Sequence, residues 1–222
     1  MKNADQLAGE YSTFILEIFR RLDAIAESME EIKANPDHPS NWKNFDFCWF
    51  QIRKICEYLA LAIVLAHHRG ATAVDDLSKW RPSDLLKQIE NLNAHPTPVQ
   101  IANELVPTGD GERQLIPLAK GIDAKKISEI YGRCNDVLHV GTLSRILKLK
   151  IPTYEVSQLE RWWSGFERLL RNHALLLPQV KHVLVCLHTK GGEAPPQIFL
   201  MQGEGEGIFN TDHLPEFELD VT

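Results

Sequence analysis

The sequence predicts a mainly α protein: a bundle of about five helices with a small inserted β-hairpin and a C-terminal β-hairpin. Three observations lead there. Apolar residues recur at three-and-four spacing through the N-terminal third. That period vanishes between 94 and 122, where prolines 96, 98, 107 and 117 fall. Beyond Pro178 it gives way to period two. At 222 residues and 44% hydrophobic composition, the chain can bury one substantial core. We read residues 1–178 as the bundle, carrying the insertion at 94–122, and 179–222 as a hairpin and acidic tail of the same domain.

The first helix places Leu7, Tyr11, Phe14, Ile15, Ile18, Leu22, Ile25, Met29 and Ile32 on one face and should end before Pro36. Glu17, Arg21, Glu27, Glu30 and Lys33 fill its wet side. A stripe that long can also pair with a second subunit, so a homodimer through the first or fourth helix is expected. Ser40 is placed to cap a second helix running to about Arg69, with Gly70 as its stop. Its aromatic positions, Trp42, Phe45, Phe47, Trp49 and Phe50, are expected in the core, because each ring buries a large area. Arg53 and Glu57, four residues apart, can pair along the same helix.

Pro82 fits the first turn of a short third helix reaching about Leu92. In the insertion, Val99-Gln100-Ile101 and Gln114-Leu115-Ile116 flank the turn-rich Thr108-Gly109-Asp110-Gly111. Asp123 can cap a fourth helix that packs through Ile127, Ile130, Tyr131, Val137 and Leu138. A fifth is expected from about Tyr154 to Leu177, anchored by Leu159, Trp162, Trp163, Phe166, Leu169 and Leu170. Val183 to His188 and Ile198 to Met201 then alternate as the two strands of the terminal hairpin.

Composition excludes some classes. A net charge of -6 argues against a general nucleic-acid coat, whose affinity comes from many phosphate-neutralising cations. Cysteines 48, 56, 134 and 186 form no closely spaced pair and read as reduced thiols. His182, Cys186 and His188 share a strand face without a fourth ligand, so neither a metal site nor a cofactor is expected. The opening residues show no basic-then-apolar leader, and no stretch is apolar enough to span a bilayer, which points to a cytoplasmic protein without membrane contact.

Chemistry concentrates in Arg133-Cys134-Asn135-Asp136-Val137-Leu138-His139. An always-charged guanidinium six residues before an imidazole is minimal equipment for metal-free phosphodiester chemistry. In one continuous helix the two would stand about 120° apart, so a break or a second subunit is needed to bring them together. Asp136 is three residues from each and Asn135 is four from His139, which suits both as orienting groups. From Lys120 to Lys150 the chain is locally +4, through Lys120, Lys125, Lys126, Arg133, Arg145, Lys148 and Lys150 against Asp123, Glu129 and Asp136. That strip, with Lys125, Lys126, Arg145, Lys148 and Lys150 as its phosphate contacts, suits a confined RNA interface.

Several long helices, the Arg53–Glu57 pair on the second, and the Arg-x5-His segment together resemble the HEPN superfamily of helical domains over roughly residues 1–178. The resemblance implies a metal-independent RNase site, commonly composite across a dimer, of the kind found in toxins and phage-defence proteins. It assigns Arg133 and His139 as the catalytic pair. Catalytic members usually place Asn, Asp or His directly after the Arg; here Cys134 stands there and the Asn comes one position later. Many members are non-catalytic binding modules, so a dimeric interaction module for a protein partner is the alternative implication.

Overall fold

The computed structural model describes residues 4–71, 81–90, 96–102, 106–107, 113–119, 121–138, 156–177, 181–188 and 195–202. Among these, helices predominate. α1 (Ala4–Ala34) and α2 (Asn41–Ala71) form a long antiparallel pair, α3 (Pro82–Glu90) and α4 (Ala124–Leu138) pack on α2, and α5 (Val156–Arg171) lies against α1. Seven strands are added: β1 (Val99–Ile101), β2 (Val106–Pro107), β3 (Arg113–Gln114), β4 (Pro117–Ala119), β5 (Asn172–Leu177), β6 (His182–Leu187) and β7 (Gln197–Gln202).

Local signals place several helix ends. Asn41 follows Ser40 directly, and the Asn41 side chain donates to the carbonyls of Asn35 and Pro36, tying the α1–α2 turn closed. Pro82 begins α3, where its missing N–H removes nothing. Asp123 Oδ1 accepts the Lys126 amide at 2.5 Å, capping α4.

The α1 stripe is used inside the chain. Tyr11, Ile15, Ile18 and Ile25 are fully buried in the core that α1 shares with α2 and α5. α2 is the hub and buries Trp49, Ile52, Ile55, Leu59 and Ile63 against its neighbours. Its aromatic cluster divides, however. Trp49 is inside, whereas Trp42, Phe47 and Phe50 are exposed, because the N-terminal half of α2 presents positions that no described element covers. Nor is the apolar stretch of α2 a membrane segment: no described helix is long and apolar enough to cross one.

The C-terminal third differs from the sequence expectation. The fifth helix stops at Arg171 rather than Leu177, and Asn172–Leu177 is the central strand of a sheet ordered β4-β1-β5-β6-β7. The inserted and terminal hairpins are therefore not separate. β1 pairs with β4 on one side and with β5 on the other, and β2 pairs with β3 toward the tip of the insertion. All neighbours in the larger sheet are antiparallel.

The two faces of this sheet have different cores. Leu175, Leu177, Leu184, Cys186, Ile198 and Leu200 join the helical core. Ala174, Leu176, Val183 and Val185 form a smaller cluster with Val99, Ile101 and Leu115 on the other side.

Two details fix how the sheet meets the helices. At its base Gly121 passes so close to the Pro98 carbonyl that a Cβ would lie 2.3 Å from the oxygen. Gly121→Ala is expected to destabilise the protein by about 1–3 kcal/mol, because backbone on both sides must move, and urea melts should show it. Second, the β5 residue His173 is fully buried. Its Nδ1–H donates to the Leu170 carbonyl at 3.0 Å, and its Nε2 accepts from the Tyr11 hydroxyl at 2.8 Å. Burial pulls the imidazole down to about 4, so it is held neutral, with both ring nitrogens satisfied.

Candidate functional site

α4 presents two unlike faces. Ala124, Ile127, Ile130, Tyr131 and Cys134 are buried, with Val137 and Leu138 packed beside them. Helical geometry then puts Lys125, Lys126, Glu129, Arg133 and Asp136 on the opposite side, within about 100° of one another. Lys125, Glu129, Arg133 and Asp136 are exposed and Lys126 is half-buried. Lys125 pairs with Glu129 at 3.8 Å, a weak contact at such an exposed position. Arg133 is exposed and makes no ion pair with another described residue.

Asn135 stands elsewhere. Two residues from Arg133, it points about 160° away, on the same flank as Tyr131. It is half-buried, and its Oδ1 is buried without a hydrogen-bonding partner among the described residues. Of the four residues assigned to catalysis, Arg133 and Asp136 therefore share a face and Asn135 does not. The fourth, His139, follows the last residue of α4 and lies outside the described residues, as do Arg145, Lys148 and Lys150. The described part of the basic strip is balanced, since Asp123, Glu129 and Asp136 offset Lys125, Lys126 and Arg133.

The structure adds a cation that the motif does not contain. Arg53 on α2 pairs with Glu57 at 3.2 Å, donates to the Tyr131 hydroxyl at 3.4 Å and lies 5.4 Å from the centre of that ring. Lys54 closes on the other Glu57 oxygen at 2.6 Å. The Arg53 and Glu57 side chains are only 18% and 12% exposed, so the pair sits in the α2–α4 seam rather than on an open helix surface. Behind it, burial pushes the Cys134 thiol well up, nearby Cys56 adds to the rise, and Arg53 opposes it. Cys134 is thus a packing residue despite its place in the motif, and its burial explains why a small apolar thiol follows Arg133. The sequence signal for the seam was the Arg-to-Glu spacing of four on α2.

The remaining thiols are equally inert. Cys48, Cys56 and Cys186 are free and buried, and burial raises the Cys48 thiol to about 12. A cavity of about 430 Å³ between α1 and α5 is lined by residues including Met29, Lys33, Glu160, Arg161 and Trp163. No α4 residue contributes to it. Comparison with known proteins found no matching family model, no matching curated protein and no matching solved structure.

Proposed function

We propose that this protein is an RNA-directed, HEPN-like protein of the cytoplasm, a metal-independent endoribonuclease acting in stress or phage defence. The observation that supports it most is the exposed guanidinium of Arg133 on the outer face of α4, two turns beyond Lys126 on the same side and six residues before His139. In this reading His139 takes the proton from the ribose 2′-hydroxyl as that oxygen attacks phosphorus, or returns one to the departing 5′-oxygen. Arg133 holds the non-bridging oxygens as negative charge builds on them. The strand breaks between phosphorus and the 5′-oxygen, leaving a 2′,3′-cyclic phosphate and a 5′-hydroxyl, with protons balanced and no metal required.

Asp136 shares the Arg133 face and in this reading orients the guanidinium once phosphate is bound. Asn135, four residues before His139, orients its imidazole in this reading. Lys125, Lys126, Arg145, Lys148 and Lys150 supply phosphate contacts along the strand. Arg133 of one subunit completes the site with His139 of a second, which removes the about 120° separation that one continuous helix would impose.

The test is cleavage of single-stranded and structured RNA in the presence of a chelator. His139→Ala is expected to reduce the rate by about 10²- to 10⁴-fold with the fold unchanged. Arg133→Lys should also be defective, because an ammonium loses the planar fork. Cyclic phosphate ends and a rate that follows histidine titration complete the expected result. Equal cleavage by wild type and both variants would expose a contaminant and sink the enzymatic reading.

A second reading is favoured by one feature, the exposure of Trp42, Phe47 and Phe50 on α2, with Lys43 near the Trp42 ring and Lys54 near Phe50. Exposed aromatics of this kind suit a non-catalytic module that binds a protein partner. A folded wild type that cleaves no RNA would select it.

A further inference from the structure

The two edges of the larger sheet are built differently. At one edge, β4 is three residues long, begins with Pro117, and meets β1 through a register irregularity between Gln100 and Ile101. Shortness, proline and irregularity are the devices by which sheets keep an edge from pairing with another chain. At the other edge, β7 has none of them. Its six residues, Gln197-Ile198-Phe199-Leu200-Met201-Gln202, contain no proline, glycine or charge, and they pair with β6 in unbroken register from Leu187↔Gln197 to His182↔Gln202. Among the described residues nothing pairs with its outer side. The side chains fit an open edge as well, since Gln197, Phe199 and Gln202 are exposed, Phe199 at 44%.

We infer that the outer edge of β7 is an interface, and that its occupant is β7 of a second copy of this chain. An unpaired strand edge offers alternating N–H and C=O groups, so whatever covers it must be an extended strand. Because β7 carries no charge, two copies meet without like-charge repulsion, and nothing in the strand selects a charged partner.

Symmetry then limits the register. Antiparallel strands related by a two-fold axis must have the axis normal to the sheet, so one residue of β7 faces itself. Centring on Leu200 would set Ile198 against Gln202. Centring on Phe199 sets Phe199 against Phe199, Ile198 against Leu200 and Gln197 against Met201, and it is the register assigned because it places the most exposed apolar ring of the strand on the axis. The exposed ring is then covered by its own copy.

The consequences are coherent with the rest of the fold. Ile198 and Leu200 pack on the helical core, and α1 lies against β7, so the two copies of α1 come to flank the axis on one face. The joined sheet ends on both outer sides in β4, the edge already protected by Pro117. This interface uses none of the α4 residues: it is a different contact from the one between subunits that the ribonuclease reading needs, and a dimer that persists in Phe199→Lys would belong to that other contact.

Sedimentation velocity at about 50 µM, in the dimer range for a typical interface, is the primary test. Wild type is expected to be a dimer. Phe199→Lys, which sets an ammonium against its own copy, is expected to weaken association by about 100-fold or more. Because Phe199 is already part-exposed, its circular dichroism should stay at wild type. Phe199→Cys should form a covalent dimer under mild oxidation, while the four buried native thiols do not cross-link. Hydrogen exchange on the unmodified protein gives a readout independent of any variant, with amides of β7 expected to gain protection as concentration rises. A monomeric wild type, a dimer indifferent to Phe199→Lys, no cross-link at position 199, or concentration-independent exchange in β7 would each overturn the proposal.

Discussion

Urea melts taken from pH 7 down to pH 4 are expected to show a steep fall in the stability of this protein. Two buried imidazoles cause it. Burial depresses both His173 and His67 to about 4, against about 6.5 in the unfolded chain. Above pH 6.5 both states hold neutral rings and these groups impose no pH dependence. Below it the unfolded chain binds protons that the native chain does not take up until about pH 4, so stability falls throughout that window. Each group contributes a slope of about 1.4 kcal/mol per pH unit and a total of about 3 kcal/mol. Two such losses rival the whole stability of a typical domain.

His188 is depressed as well, by burial and by nearby Arg171, with Asp23 opposing, and it adds in the same direction. The His173 share can be isolated. Tyr11→Phe combined with His173→Leu removes both ends of the buried hydrogen bond and should cut the slope by about 1.4 kcal/mol per pH unit. Stability that stays flat between pH 7 and 5 would show that these rings are not neutral and buried.

Trp162→Ala is expected to cost about 3–5 kcal/mol, enough to leave many single domains largely unfolded. Trp162 of α5 is fully buried and meets Trp49 of α2 edge to face, with ring centres 5.1 Å apart and planes at 87°. Deleting it opens a cavity between two helices and strips one side of the Trp49 ring. The neighbouring Trp163 is half-buried, and its indole N–H donates to the Leu22 carbonyl at 2.9 Å. Trp163→Ala should therefore cost clearly less than Trp162→Ala. Denaturant midpoints for the two variants check this, and equal losses would mean that the adjacent tryptophans share one environment.

Those tryptophans also show what a sequence can and cannot reveal here. Helical periodicity identified α1, α2, α4 and most of α5, because each has one apolar face and neighbours that oblige it to use that face. Cap chemistry found the start of α4, since Asp123 acts within its own first turn.

β5 was invisible for the opposite reason. Asn172–Leu177 is buried on both faces, so it lacks the alternation of a half-exposed strand. Its alanine and leucines favour helix, and no glycine or proline separates it from α5. Only its neighbours β1 and β6 decide that it is a strand. The candidate site was legible to the same degree. Spacing alone puts Arg133 and Asp136 together and Asn135 apart, whereas the approach of Arg53 to Tyr131 depends on how α2 and α4 cross and leaves no local trace.

The direct passage from α5 into β5 carries a mechanical consequence. Arg171 is the last helical residue and Asn172 the first of the strand, and the His188 amide spans the joint, donating to the Arg171 carbonyl at 2.9 Å. A linker would let the bundle and the sheet breathe on separate timescales. Without one, any opening of the sheet pulls on the C-terminal turn of α5, and through Phe166 and Leu170 on the centre of the bundle. Helices and sheet form one cooperative unit, in which a disturbance at the strands is felt as strain among the helices.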